Sequence, residues 1–376
     1  MTGNTPIETL LGGVKEDTGF SRWRTDYDES LVSSVYNVLF DHAQSNTLKQ
    51  FQIRFGDIQA FLNDQGIPFL YHKDTHQDML FSPWSLSQLS EKLGMGAAGY
   101  LRKCLKEDMP ELVTENLNRW IRKNDGKTVI LRTHEDRAVA TPPDSRPPTR
   151  LRAVVSDRYG FFDHVDVIGS IRDVLGQHSE LKVESSLFTP DNMMLRLIDP
   201  NTVVLPQSDR AYGSYVGVNI RNGQTGQVSV VIEFMIYTII CSNGMFVGED
   251  RGRVFYRKHY GIDRPTFRSD FSRSLEKFPE YVEAAHRTVD EARQIRLSAV
   301  FPLNNGLKDF VQRITPLNDE QYDAVESIMV ADWDESLWGL SGAVTQYAQT
   351  VRNAHEQYKL EHLAGKIVEH GLRLAS

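Results

Sequence analysis

The stretch "IRNGQTGQVSVVIEFMIYTIIC", Ile220–Cys241, decides the fold class of the middle of the chain. Asn222-Gly223 is a strong turn signal, and strand-forming residues lie on both sides of it. The segment "HVDVIGSIRDVLGQH" shows helical spacing of its apolar residues. Further strands are predicted in "ELKVESSLF", "NMMLRLID" and "AYGSYVGVNIR". We therefore predict an α+β fold with a central antiparallel β-meander and a packed helix, flanked by a mostly helical N-terminal region and long C-terminal helices.

Two changes in composition divide the 376 residues into three predicted regions. "ATPPDSRPPTR", Ala140–Arg150, has four prolines in eleven residues and indicates a stiff linker or a long surface loop. A softer boundary lies near "GIDRPTFRSD", where strand-like sequence gives way to helical periodicity. The predicted regions are a mostly helical 1–140, a β-rich core with a basic segment at 150–265, and an acidic helical 266–376.

Composition excludes several protein classes. The net charge is −8, which argues against a uniformly basic coat for nucleic acid. Two cysteines, Cys104 and Cys241, cannot form a disulfide framework or a cysteine-rich zinc site. The N-terminus lacks a basic region followed by an apolar run, so we expect no secretory signal. The most apolar run, Val228–Ile240, contains Glu233 and is too short to span a bilayer. We expect a cytoplasmic protein without a membrane partner.

Strand alternation gives the predicted sheet two different faces. The mixed face of Val228–Cys241 contains Glu233 and would be covered by a second layer or open to a ligand. A buried carboxylate needs a partner, and Arg196 and Arg221 on nearby strands are candidates. Gly217 fits either a bulge or close approach by another backbone. The opposite face is almost wholly apolar and should pack under a helix: Val228, Val230, Ile232, Phe234, Ile236, Thr238 and Ile240.

Positive charge collects in Arg251–Arg273, where seven Lys or Arg face two acidic residues. Spaced cations with an aromatic residue between them suit a single-stranded nucleic acid, because the cations neutralise phosphates and the ring stacks on a base. The alternative is an edge strand protected from aggregation by charge. The predicted nucleic-acid-binding residues are Arg251, Arg253, Phe255, Tyr256, Arg257, Lys258, Arg152, Arg158, Tyr159, Arg196 and Arg221.

Other candidate motifs are weaker. "LSQLSEKLGMGAAGYLRKCL" has the pattern of a helix-turn-helix, but the second helix offers only Arg102 and Lys103 as contacts, which favours a helical hairpin packed on a core. His72 and His76 would share a metal if they lay on a helix. We find no phosphate-binding glycine loop, dinucleotide fingerprint or nucleophile elbow, so no catalytic residue and no cofactor is predicted.

The motifs "LRAVVSDRYGFFDHVDVIGSI", "IICSNGMFVGEDRGRVFYRKHYG" and "LWGLSGAVTQYAQTVRN" resemble recurring segments of one family. It is the family of phage- and plasmid-borne proteins catalogued as a domain of unknown function, and the resemblance runs from about Trp84 onward. Asp163-His164 replaces the family's usual Asp-Asn. The β-rich centre is also similar to the core of phage single-strand annealing proteins of the Red-beta and Erf type.

The resemblance implies a phage or plasmid recombination protein of the bacterial cytoplasm. Such a protein binds and anneals single-stranded DNA without ATP, is not an enzyme, and assembles into homo-oligomeric rings or filaments. One alternative is a protein-interaction or host-defence antagonist protein. It rests on the acidic C-terminal helices, where Glu276–Ser376 holds 16 acidic and 10 basic residues, with Trp333 and Trp338 as anchors. A further alternative is a metal-dependent nuclease.

Overall fold

The computed structural model describes residues 21–23, 48–135, 149–175, 181–188, 191–205, 214–238, 243–245, 253–301, 304–351 and 354–376. These residues form two β-sheets and a set of helices, so the predicted α+β class is confirmed. The strands are β1 (Ser21–Trp23), β2 (Leu48–Arg54), β3 (Ile58–Leu62), β4 (Pro68–His72), β5 (Gln77–Phe81), β6 (Thr128–Glu135), β7 (Thr149–Ser156), β8 (Lys182–Phe188), β9 (Asn192–Leu205), β10 (Ser214–Gly223), β11 (Val230–Thr238), β12 (Asn243–Met245) and β13 (Arg253–Arg257). The helices are α1 (Pro83–Lys92), α2 (Ala98–Lys106), α3 (Pro110–Lys123), α4 (His164–Leu175), α5 (Arg264–Glu276), α6 (Phe278–Gln294), α7 (Leu297–Val300), α8 (Asn304–Ile314), α9 (Asp319–Asp332), α10 (Leu337–Ala348) and α11 (Ala354–Ala375).

The first sheet has the strand order β2-β6-β7-β5-β4-β3. Strands β5 and β7 run parallel, and the other neighbouring pairs run antiparallel. Helices α1 to α3 cover one face, where Leu86, Leu101 and Leu117 pack against Leu70 and Met79 in one core. The segment considered as a helix-turn-helix forms α1 and α2, and their buried apolar residues agree with the interpretation as a packed helical hairpin.

The prediction of a mostly helical N-terminal region is corrected by β2 to β6. These strands are short, and turn residues separate β3, β4 and β5. In β3 the buried Ile58 and Ala60 alternate with more exposed residues over only five positions, so the alternation is brief and easily missed. The helical spacing of apolar residues in "ESLVSSVYNVLFDHAQ" also predicts a helix over residues 29–44, which lie outside the described residues. Strand β7 follows the proline-rich segment but pairs with β6 in the first sheet.

The second sheet has the order β1-β8-β9-β10-β11-β12, and β13 also pairs with β11. Strands β8 to β11 form the predicted antiparallel meander, and α4 packs on it through Val167, Ile168 and Ile171. The β10–β11 turn begins two residues later than predicted. Asn222 and Gly223 still pair with β9, so residues 224–229 make the turn.

The two faces of the second sheet differ as predicted. Val230, Ile232, Phe234 and Ile236 belong to the large core that α4, α5, α6 and α10 complete, so the prediction of an apolar face under helices is confirmed. The mixed face is covered by side chains from α11, described below. Within the described residues, no helix combines the length and apolar character that crossing a membrane requires.

Gly217 lies at an irregular point of the sheet. The β9–β10 register shifts beside it, and a Cβ at this position would lie 2.4 Å from the carbonyl oxygen of Leu197. Gly217 therefore lies at a bulge where the neighbouring strand approaches closely. Both predicted interpretations of this glycine apply.

Candidate nucleic-acid interface

Strand β13 carries the centre of the predicted basic stretch. It pairs antiparallel with β11, with Val231 opposite Tyr256 and Ile232 opposite Phe255. Because side chains alternate, Phe255 points into the core and Tyr256 points to the other face. Phe255 is buried, and its ring makes an edge contact with Phe267 at a centroid distance of 5.6 Å. The predicted base-stacking role of Phe255 is therefore corrected, because Phe255 is a core residue.

The other predicted contacts of the basic stretch are Arg251, Arg253, Arg257 and Lys258. Arg251 lies outside the described residues. Arg253 is opposite Glu233 in the strand register, and its side chain is not described. Arg257 and Lys258 are exposed, and Nη2 of Arg257 lies 3.7 Å from Oδ2 of Asp270. Arg257 and Lys258 therefore remain on the surface, where a ligand can reach them.

A loop from before α4 lies against the loop that follows β13. The backbone N–H of Gly160 donates a hydrogen bond to the carbonyl oxygen of His259 at 3.0 Å. The rings of Tyr159 and His259 stack with centroids 5.1 Å apart, and Phe161 makes an edge contact with Tyr159 at 5.9 Å. These contacts bring residues 157–161 beside residues 256–261.

Exposed aromatic rings and cations meet on these two segments. Tyr256 is 51% exposed, Tyr260 is 64% exposed and Phe161 is 39% exposed. Such exposure is unusual for large apolar rings, and three of them on adjoining segments form a local surface feature. We call this feature the aromatic–basic surface and define it as Arg158, Phe161, Tyr256, Arg257, Lys258 and Tyr260.

The arginines of α5 do not extend the positive surface. The guanidinium of Arg264 binds Asp166, with Nε 2.7 Å from Oδ1, and that of Arg268 binds Asp173. Both pairs link α5 to α4 across the surface. Because these ion pairs cancel charge locally, Arg264 and Arg268 add little positive charge to the aromatic–basic surface.

Arginines of the first sheet hold the β10–β11 turn. Arg132 donates to the carbonyl oxygen of Gln224 at 2.5 Å and to Asp163 at 2.6 Å. Arg152 donates to Asp191 at 2.8 Å and to the side chain of Gln224 at 3.1 Å. Arg152 is buried and paired, so its predicted place on the border of a DNA groove is corrected.

Further contacts tie this turn to the loop of the aromatic–basic surface. The carbonyl oxygen of Thr225 accepts hydrogen bonds from Trp84 at 3.1 Å and from Gln88 at 2.9 Å. The hydroxyl of Tyr159 donates to the carbonyl oxygen of Gly223 at 3.3 Å. Tyr159 is half-buried, so it positions Phe161 and His259 rather than offering a free face for stacking.

Burial sets the ionisation of the rings below the surface. It lowers the pKa of His259 to about 4, and the positive charge of Arg132 acts in the same direction. It raises the pKa of Tyr159 to about 12. Both rings are therefore neutral at pH 7 and support the loop as an uncharged stack.

Predicted site residues on the mixed face of the second sheet lie beneath α11. Arg196, Asn219 and Glu233 are opposite one another on β9, β10 and β11, and Arg221 lies two residues after Asn219. We call these four residues the polar row. Nη2 of Arg196 lies 2.5 Å from Oε2 of Glu361, and both side chains are buried. Arg196 thus pairs with Glu361 beneath α11, so its predicted place on an open DNA-binding surface is corrected for this position of the helix.

Helix α11 also provides the partners of Glu233. The hydroxyl of Tyr358 donates to Oε2 of Glu233 at 2.5 Å, and Nε2 of His362 lies 3.2 Å from Oε1. The guanidinium of Arg221 lies 3.7 Å from the centroid of the Tyr358 ring. Burial alone would raise the pKa of Glu233, but His362, Tyr358 and Arg221 outweigh burial and lower it. Glu233 is therefore ionised and structurally paired.

The two predicted metal ligands do not lie on a helix. His72 ends β4 and contacts the hydroxyl of Thr75 through Nδ1 at 2.7 Å. His76 lies in the following turn and contacts the hydroxyl of Tyr71 at 2.6 Å. In the described part of the chain, no three His, Cys, Asp or Glu side chains are grouped to hold a metal ion.

The tryptophans predicted as protein-binding anchors are packed within the C-terminal helices. Trp338 is buried in the core, and Trp333 packs against that core and donates to Gln346 at 2.8 Å. A side chain at Gly342 would collide with the Trp333 ring. The anchoring role is therefore corrected.

Sequence reasoning missed Phe161 and Tyr260. Both lie next to residues of the predicted set, in "RYGFF" and "RKHYG". An aromatic residue beside a loop glycine was the available signal, because glycine marks a turn that leaves its neighbours exposed.

Comparison with family models matches residues 152–365 to a domain of unknown function, DUF932. The chain belongs to this family. The match covers both strands and helices, from within β7 to about the middle of α11. It begins later than the resemblance that we placed from about Trp84. Searches of curated proteins and of solved structures found no match to this member of the DUF932 family.

Proposed function

We propose that the protein binds single-stranded DNA through the aromatic–basic surface and anneals complementary strands. The observation that supports this proposal is the grouping of three exposed rings with Arg158, Arg257 and Lys258 on two adjoining segments. Exposed rings stack on unpaired bases, whereas a duplex hides its base faces. Cations beside the rings neutralise the phosphates of the same strand.

The number of cations on this surface predicts how strongly salt should weaken DNA binding. Three cations on single-stranded DNA give a slope of log affinity against log salt of about −2. Most of the affinity should then come from stacking, at about 1–3 kcal/mol per base. The proposed DNA-binding mode is therefore only moderately sensitive to salt, unlike that of a protein with a wholly basic groove.

Fluorescence anisotropy of a labelled single-stranded oligonucleotide and a matched duplex, each titrated with salt, tests the proposal. Tyr256→Ala and Tyr260→Ala should each weaken single-strand binding about 5- to 100-fold. Neutralising Arg158, Arg257 and Lys258 with glutamine should flatten the salt slope by about 2. Tyr100→Ala is the matched control, because Tyr100 is 49% exposed on α2 and its electrostatic neighbours Cys104, Asn116 and Glu115 lie on α2 and α3.

Equal affinity for single strand and duplex would contradict the proposal. So would equal effects of Tyr256→Ala and Tyr100→Ala. If the first results hold, mixing complementary labelled strands without ATP measures annealing directly. The same Tyr256→Ala variant should slow the protein-dependent part of that reaction.

The biological setting is part of the proposal. We infer that the protein acts in recombination of a phage or plasmid, in the cytoplasm of a bacterial host, as a homo-oligomer. The support is the resemblance of the "SDRY", "CSNG" and C-terminal helix segments to phage- and plasmid-borne proteins. Light scattering with and without oligonucleotide measures the oligomeric state, and a monomer under both conditions would remove the ring or filament.

A further inference from the structure

We propose that the polar row is a second single-stranded nucleic-acid contact, and that the first turns of α11 close it as an autoinhibitory lid. This inference rests on the proposed function and extends it to regulation. In the open state Arg196 binds a phosphate and Arg221 stacks on a base. Asn219 and Glu233 form hydrogen bonds with base edges.

The contacts of α11 have the chemistry of a nucleic-acid strand. Glu361 presents a carboxylate to Arg196 at 2.5 Å, where a phosphate oxygen would bind a guanidinium. Tyr358 presents its ring to Arg221 at 3.7 Å, where a base would stack on the same planar group. The helix therefore places an anion and an aromatic ring on the two arginines that a bound strand would use.

Asn219 gives independent support for a ligand on this face of the sheet. Its side chain is fully buried between Arg196 and Glu233 in the strand register. Neither its amide nitrogen nor its amide oxygen has a hydrogen-bond partner among the described residues. A buried amide without partners is costly, and α11 does not satisfy it. The edge of a base carries both a donor and an acceptor and would satisfy both atoms.

The polar row continues into the aromatic–basic surface. In the strand register Arg221 is opposite Val231, and Val231 is opposite Tyr256. Arg221 and Tyr256 therefore point to the same face, two strand spacings or about 10 Å apart. One strand stacked on Tyr256 needs only one or two further nucleotides to reach Arg221 once Tyr358 has moved away.

Helix α11 is divided in a way that permits local opening. Its first turns reach the sheet through the polar side chains of Tyr358, Glu361 and His362, while Leu360 belongs to the large core. Its later turns are held in the core by apolar residues, and the Ala364 carbonyl oxygen accepts a hydrogen bond from Ser341 at 2.8 Å. The first turns can therefore unwind while the rest of the helix remains packed.

Hydrogen exchange of the full-length protein, with and without a saturating labelled single-stranded oligonucleotide, tests the lid. We expect faster exchange at residues 358–362 when the oligonucleotide is bound, with unchanged protection at residues 364–371. Unchanged exchange at 358–362 while anisotropy shows the oligonucleotide bound would overturn the lid alone. Absence of oligonucleotide binding would overturn the lid and the proposed function together.

A pair of charge variants on the same helix gives a second readout. Glu361→Gln should tighten oligonucleotide binding about five- to tenfold, because it weakens the contact that competes for Arg196. Glu356→Gln removes the same charge from an exposed position of α11 and should change binding less than about twofold. Adding Arg196→Gln to Glu361→Gln should abolish the gain. Equal effects of the two single variants would contradict the lid, and thermal melting of each variant checks that it remains folded.

Discussion

Arg196 and Arg257 are both predicted to bind nucleic acid, and the fold gives them opposite environments. Arg196 lies on an inner strand, is 2% exposed and pairs with a buried carboxylate. Arg257 ends β13 and is exposed, with its Nη2 3.7 Å from Oδ2 of Asp270. The difference comes from what covers each strand and not from local sequence, since both arginines lie in alternating strand-like segments.

Burial decides how strongly an arginine depends on a paired carboxylate. A guanidinium in water interacts weakly with a neighbouring carboxylate and remains open to a ligand. A guanidinium under a helix requires its partner, because an unpaired buried charge is very unfavourable. The two arginines therefore predict different results for the same substitution.

The largest expected effect is the loss of Arg196. Arg196→Ala leaves Glu361 buried without its cation and should lower the free energy of unfolding by about 3–5 kcal/mol. Arg257→Ala removes an exposed cation and should change it by less than about 1 kcal/mol. Urea denaturation of the two variants measures both values. Similar, small losses would show that α11 does not cover Arg196 in solution.

Neighbouring aromatic residues on β13 provide a second contrast. Phe255→Ala removes a buried ring from the core and should cost about 3–5 kcal/mol of stability. Tyr256→Ala removes an exposed ring and should cost less than about 1 kcal/mol, while weakening oligonucleotide binding. Denaturation and anisotropy on the same two preparations separate the roles. If Tyr256 were the more destabilising position, the register of β13 on β11 would be wrong.

The buried stack of Tyr159 and His259, unlike the exposed rings above it, should make the stability of the protein depend on pH. The pKa of His259 is about 4 in the folded protein and about 6.5 in an unfolded chain. The unfolded state therefore binds the proton first, so this contribution is complete above pH 6.5 and is lost as the pH falls towards 4. The shift corresponds to about 3 kcal/mol.

Denaturation between pH 7.5 and pH 4.5 measures this loss. His259→Phe keeps a ring on Tyr159 and cannot titrate, so its stability should fall less over the same range. Equal pH dependence in the variant and the native protein would assign the loss to other groups. Glu233 is not one of these, because its pKa is lowered and its own contribution is lost only below the usual carboxyl pKa of 4.5, outside this range.

Several elements could be predicted because their signals are local. The meander β8 to β11 and helix α4 follow from strand alternation and helical spacing within "HVDVIGSIRDVL" and "QVSVVIEFMIYT". In the first sheet, β6 and β7 have strand-like sequence, whereas β3, β4 and β5 are each only five residues long and were missed. The turn after β10 was placed too early because pairing with β9 extends the strand through Gly223.

The candidate site was predictable only in part. Tyr256, Arg257 and Lys258 are exposed as the basic stretch indicated, and Arg158 and Phe161 join them through a loop distant in sequence. Arg221, predicted from a neighbouring strand, does help to lower the pKa of Glu233, but the partners on α11 could not be predicted in this way. They lie more than 120 residues away, since Tyr358 and Glu233 are separated by 125 positions and His362 and Glu233 by 129.

The sequence by itself determined the α+β class, the two-faced central strand and the concentration of cations between Arg251 and Arg273. These properties depend on the order of apolar, polar and charged residues within single segments. Only the tertiary structure decided which cations are exposed and which are paired. That choice depends on the helix or turn that covers each strand, and hence on contacts between segments far apart in the chain, which periodicity does not encode.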